Sequence, residues 1–150
     1  MTTGQVDTVV FGTAISGTAS VTTATTAINA DKGDSINGFV TTSDKLQFKA
    51  AVLNSIDGVT TTAGTAFAAA QALTSVQLKV FATGTNLAAV TSGTGARFIF
   101  NADDSKLYLD VTGDSTSSSG TITDAASDDI LIATLVGITT IVVGDFVIVA

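Results

Sequence analysis

Apolar and polar residues alternate at period two in several short stretches, the signature of half-buried strands. Leu46 and Phe48 flank Gln47 directly after a turn at Ser43, Asp44 and Lys45. Residues 76–81 alternate in the same way, with Val76, Leu78 and Val80 set against Gln77, Lys79 and Phe81. Residues 97–100 (Arg, Phe, Ile, Phe) and 106–109 (Lys, Leu, Tyr, Leu) read as two strands, and the turn-forming residues 101–105 between them predict a hairpin. Residues 6–11 predict a first strand. Residues 35–40 predict another, following a turn at 31–34, and the Thr- and Ala-rich stretch 20–28 predicts a strand with a polar face. Residues 54–58 read as a turn and 113–119 as a flexible polar loop. One helix is expected, over residues 65–75, with an Ala-rich centre from Ala66 to Leu73 and Thr65 as its N-cap.

The tail from 130 to 150 is almost wholly apolar and about long enough to cross a bilayer. Gly137 and Gly144 punctuate it, Thr134, Thr139 and Thr140 interrupt it, and Asp145 sits inside it with no Lys or Arg at either end. Its β-branched runs at 130–132, 140–143 and 146–149 therefore read as three short buried strands, not as a membrane span. With no fixed-period repeat and no linker, the expectation is one domain over residues 1–150. Its class is all-β, a mainly antiparallel β-sandwich or β-roll-like sheet domain with one short helix.

Composition strengthens that reading. The chain has 150 residues, no Pro, Cys, His or Trp, and all thirteen acidic residues are Asp. Asp favours turns where Glu favours helices, and Thr and Ser supply roughly a quarter of the residues. Without Cys or His there is no disulfide framework, no Ser-His-Asp triad and no zincin or copper site. Paired carboxylates alone can run glycoside hydrolysis, but Trp is missing and Tyr108 is the sole tyrosine, so no aromatic platform accompanies them. The expectation is that the protein is not an enzyme. A net charge of −7 disfavours a nucleic-acid partner. Residues 1–7 lack the basic and apolar regions of a cleavable secretory signal, so any export is expected by another route.

The order of the segments resembles a known family. Phe98, Ile99, Phe100 and Asn101, then Lys106 to Asp110, are similar to the "R-F-I-Y-N…L-Y-Y-D" hairpin of the C-terminal region of RTX-type proteins, the hemolysin-type calcium-binding family exported by type I secretion. Ile132, Ala133, Leu135 and Gly137 resemble its "I-A-x-L-x-G" strand. Upstream, Thr8 to Phe11 resemble "T-F-V-F", Asp34 to Phe39 "D-x-I-x-D-F", and Asp44, Lys45 and Leu46 the "x-D-K-I/L" turn. The resemblance covers nearly the whole chain. It implies an uncleaved type I secretion signal at Asp145, Phe146, Val147, Ile148 and Val149, an exporter as partner, and a secreted protein at the cell surface or in the matrix. The glycine-rich nonapeptide of the calcium β-roll is absent. The "D-x-D-G" expected after the tyrosine strand is also missing, since residues 110–114 are Asp, Val, Thr, Gly and Asp. The family's calcium sites therefore do not carry over directly, and the region that elsewhere serves as a passenger's export tail here reads as the whole protein.

Hard cations take oxygen ligands, so calcium is the one metal that the inventory supports. One candidate cluster is Asp31, Asp34 and Asp44; the other is Asp103, Asp104, Asp110 and Asp114 on the tip and shoulder of the hairpin. Asp also makes turns unaided, and the two readings stand side by side. Asp124, Asp128 and Asp129 read as a plain acidic turn. A Pro-free, Lys-poor β-domain has few devices to blunt its sheet edges, and strand addition between copies then propagates as a filament or lattice. Residues 12–30, with few large apolar anchors, are the candidate segment for donation. The expected function is a self-assembling extracellular structural protein, a homopolymer serving as matrix filament or surface-layer subunit, with calcium assisting. The alternative is a monomeric secretion or adhesion module.

Overall fold

Alternation at residues 45–49 sets the middle of one sheet, because it sends Leu46 and Phe48 inward and Lys45, Gln47 and Lys49 outward. The computed structural model describes residues 6–11, 34–55, 66–81, 97–110, 116–118, 121–123 and 130–150. In chain order the strands are β1 (Thr8–Phe11), β2 (Asp34–Asn37), β3 (Lys45–Lys49), β4 (Leu78–Phe81), β5 (Arg97–Asn101), β6 (Lys106–Asp110), β7 (Thr116–Ser118), β8 (Thr121–Thr123), β9 (Ile130–Val136) and β10 (Phe146–Val149). One short helix, α1 (Ala50–Asn54), follows β3, and a 3-10 turn (Val143–Asp145) leads into β10. The expected strand at 20–28, the donor segment 12–30, the turns at 31–33 and 56–58, the Thr65 cap and the acidic turn at Asp124, Asp128 and Asp129 lie outside the described residues.

The strands form a three-stranded sheet in the order β1-β3-β10, a five-stranded sheet in the order β2-β9-β6-β5-β4, and a separate β7-β8 pair. The β-rich class is as expected; the mainly antiparallel arrangement is not. β1 and β10 both run parallel to β3, β2 runs parallel to β9, and β4 parallel to β5. Antiparallel pairing joins only β5 to β6, β6 to β9 and β7 to β8 among the described residues. Period-two alternation defines a strand's faces but is silent on its direction, and only the 97–110 hairpin carries its pairing in local turn chemistry.

Both sheets feed one core. Phe48 of β3 stacks on Phe11 of β1 with ring centroids 4.8 Å apart and meets Phe98 of β5, also at 4.8 Å. Phe146 of β10 lies 4.9 Å from Phe98. Leu107, Leu109, Ile132 and Leu135 complete the same cluster from β6 and β9. Rings at these separations, in tilted and stacked pairs, add to their area burial about 0.5–1.5 kcal/mol per pair.

The helix expected over 65–75 is not there. Residues 66–77 run as turns and irregular chain, with Ala70 at φ 60°. The reason is visible in the spacing: only Phe67 and Leu73 are buried, six residues apart, so no stripe at three- or four-residue spacing exists to hold a helix against the core. Asn54 fixes the segment instead. Its Nδ2 donates to the Phe67 carbonyl at 2.7 Å, and its Oδ1 accepts the Phe67 N–H at 2.8 Å. The helix forms at Ala50–Asn54, where Ala50, Val52 and Leu53 turn toward the core.

Three further expectations change. Residues 140–143 are not a strand, because the Val142 N–H is taken by the Asp145 side chain at 2.9 Å and the chain turns there. The polar loop at 113–119 contains β7, whose Thr and Ser residues pair in register with β8; β-branched Thr suits a strand even without an apolar face. In 76–81 the strand begins at Leu78, and Phe81, not Val76 or Val80, is buried beside Leu78.

Candidate functional site

The start of the three-stranded sheet is tied by two buried carboxylates. Asp44 accepts the Asp7 N–H at 3.0 Å on Oδ1 and the Val40 N–H at 2.8 Å on Oδ2. Asp145, fully buried, accepts the Thr42 N–H at 2.6 Å on Oδ1, and on Oδ2 the Thr41 hydroxyl at 2.6 Å and the Val142 N–H at 2.9 Å. The Lys45 N–H donates to the Asp7 carbonyl at 2.8 Å. The entries to β1, β3 and β10 are thereby joined by hydrogen bonds to charged groups, which are stronger than neutral ones. Thr42 is held at φ 70°, a conformation that a β-branched residue adopts only when its surroundings impose it.

The expected calcium ligands that the structure describes fall in several elements. Asp34 opens β2, opposite Ala133 in register, while Asp44 sits in the turn before β3, its two oxygens facing N–H donors. Asp31 and Asp114 lie outside the described residues. Asp103 and Asp104 are exposed on the β5–β6 turn, where Asp104 accepts the Lys106 N–H at 3.2 Å and its carboxylate lies 3.1 Å from the Lys106 ammonium. Asp110 is at the other end of β6, roughly 13 Å beyond Lys106 at a strand's rise per residue. It faces Arg97, whose Nε and Nη2 both lie 3.0 Å from Asp110 Oδ2, with both side chains buried. Among the described residues no three acidic side chains gather.

Arg97 is a site that alternation missed. It is the only arginine of the chain, at the head of a strand buried on both faces, and its register partner is Asp110. Each strand runs one residue further than expected, to Asn101 and to Asp110, and that extension sets the two charges opposite each other. The expected export segment, residues 145–149, comprises the last residue of the 3-10 turn and β10. Phe146 and Ile148 are core residues, and Val147 and Val149 lie on the opposite face of the sheet.

That opposite face has a composition of its own. Register places Thr8 beside Lys45, and Val10 and Val147 on either side of Gln47; Val149 stands beside Lys49. Lys45 Nζ donates to the Gly144 carbonyl at 2.7 Å. Neither Lys45 nor Lys49 forms an ion pair among the described residues. In a chain of net charge −7, the described strand positions of this face carry two ammonium groups and no carboxylate. Val10 is 41% exposed and Val6, just before β1, is 66% exposed.

No protein-family model matches the chain, and neither a curated protein nor a solved structure matches it. Among the described residues, no helix is long and apolar enough to cross a membrane.

Proposed function

We propose that the protein is a self-assembling extracellular structural protein, a matrix filament or surface-layer subunit that polymerises through strand edges. The observation that carries this reading is β1, an edge strand among the described residues, with Val10 exposed, Val6 exposed just before it, no charged side chain within Thr8–Phe11, and no proline anywhere in the chain. Native sheets guard such edges with charge, proline or a covering segment, and an unguarded one is a template for pairing. In this reading the two larger sheets act as the layers of a sandwich. Export follows from the resemblance to the RTX-type C-terminal region, with residues 145–149 as the uncleaved type I signal, and calcium bound at Asp side chains assists assembly by relieving self-repulsion.

Negative-stain microscopy and light scattering, with calcium and with chelator, test the proposal. Filaments or sheets are expected. A monomer near 14.9 kDa under every condition would overturn it. Residues 145–149 fused to an unrelated passenger test export, since retention of the fusion inside the cell removes the signal reading. A second reading, a monomeric secretion or adhesion module without catalytic activity, draws on the other edge of the same sheet. There the Ala70 N–H donates to the Ile148 carbonyl at 2.8 Å and covers part of β10.

A further inference from the structure

We infer that the outer face of the β1-β3-β10 sheet is the surface on which a second copy of the chain docks, through a heterologous contact between Lys45 and Lys49 and Asp carboxylates of that copy. The inference rests on the self-assembly reading and specifies its interface. All-parallel sheets are found almost only with both faces covered. One face of this sheet is covered by the core through Phe11, Leu46, Phe48, Phe146 and Ile148. Among the described residues the other presents Val10, Gln47, Val147 and the two lysines, and it runs into the β1 edge, where Val10 and, just before the strand, Val6 are exposed.

Charge selects the occupant. Six basic residues are set against thirteen Asp, so the rest of the molecule is acidic and complements this face. Charge also selects the geometry. Two copies meeting face to face about a two-fold axis would set lysine against lysine, which like-charge repulsion opposes. The acidic partner surface must therefore be a different part of the molecule, and a contact between unlike surfaces repeats without closing. Three strands about 4.8 Å apart and about 16 Å long span roughly 200 Å², well under the roughly 800 Å² per partner of a stable complex. The β1 edge must add to the contact, and assembly is expected to be reversible and salt-sensitive.

Lys49→Asp reverses one charge at a position that is also the N-cap of α1, where Asp is a favoured residue, so the fold is expected to persist. Lys79→Asp makes the same change of charge on β4 and serves as the control. Light scattering and microscopy should show assembly lost in Lys49→Asp and retained in Lys79→Asp, with far-ultraviolet circular dichroism unchanged in both. Carbodiimide coupling of a mixture of isotope-labelled and unlabelled wild-type chains should join Lys45 or Lys49 of one copy to an Asp of another. Assembly of Lys49→Asp at the wild-type level overturns the interface and leaves self-assembly standing. Equal loss in both variants, or inter-copy links that avoid Lys45 and Lys49, also overturns it. A wild-type chain that stays monomeric overturns the interface together with the self-assembly reading.

Discussion

Replacing Asp145 by Ala removes the acceptor of three hydrogen bonds at once, from the Thr41 hydroxyl, the Thr42 N–H and the Val142 N–H. A hydrogen bond to a charged group contributes about 1.5–3 kcal/mol, so a simple sum would reach about 4.5–9 kcal/mol. The real loss is smaller, because Thr42 and Val142 are exposed residues whose amides regain water once the carboxylate is gone. About 3–4 kcal/mol is expected, a large share of the roughly 5–15 kcal/mol that holds a typical domain. With a urea slope of about 2 kcal/mol per molar, the unfolding midpoint should fall by about 1.5–2 M. Asp145→Asn keeps one acceptor oxygen and should lose about half as much. Equilibrium urea unfolding followed by circular dichroism measures both. Midpoints for both variants within about 0.3 M of wild type would refute the view that this carboxylate ties β10 to the turn before β3.

Asp110→Leu leaves the Arg97 guanidinium buried opposite an apolar side chain and should cost about 3–5 kcal/mol, whereas the double variant with Arg97→Met should recover to within about 1 kcal/mol of wild type; a double-mutant cycle in urea checks the coupling. Asn54→Ala breaks both hydrogen bonds to Phe67 and should cost about 1–3 kcal/mol, with faster proteolysis within residues 66–77 as the local readout. Thr42→Gly preserves the backbone N–H bond to Asp145 while removing a left-handed strain of about 1–2 kcal/mol, offset by about 0.5–1 kcal/mol of added chain entropy. Its melting temperature should hold or rise by a few degrees.

Strand positions were legible where side chains alternate, at Leu46 and Phe48, and where turn residues bracket two apolar runs, as around Asn101 to Ser105. Direction and partner were not legible. Nothing local to residues 8–11, 45–49 or 146–149 says that they lie side by side, because parallel pairing is set by connections far longer than any periodicity window. Ala-rich composition suggests a helix over 65–75, but helix propensity is a weak prior when the large apolar residues do not share a face. The acidic residues show the same limit. Composition identified Asp as turn and oxygen-ligand chemistry, yet which Asp would be buried against Thr41 and Val142 depended on a contact spanning 104 residues.

The same long span shapes how the sheet comes into being. β3 waits for β10, which leaves the ribosome after the other described strands, and its Phe48 has no Phe146 to stack on until then. Pairings of such high contact order form slowly, because the entropy of closing the loop is lost before any packing is gained. During that interval the second edge of β3, opposite β1, is vacant and in register for residues 146–149, with Phe48 beside it. That edge reads only register and side-chain shape, so β10 of a neighbouring chain fits it as well as the chain's own. Exchange of β10 between nascent copies would therefore give domain-swapped dimers whose subunits keep every registered contact of the closed sheet.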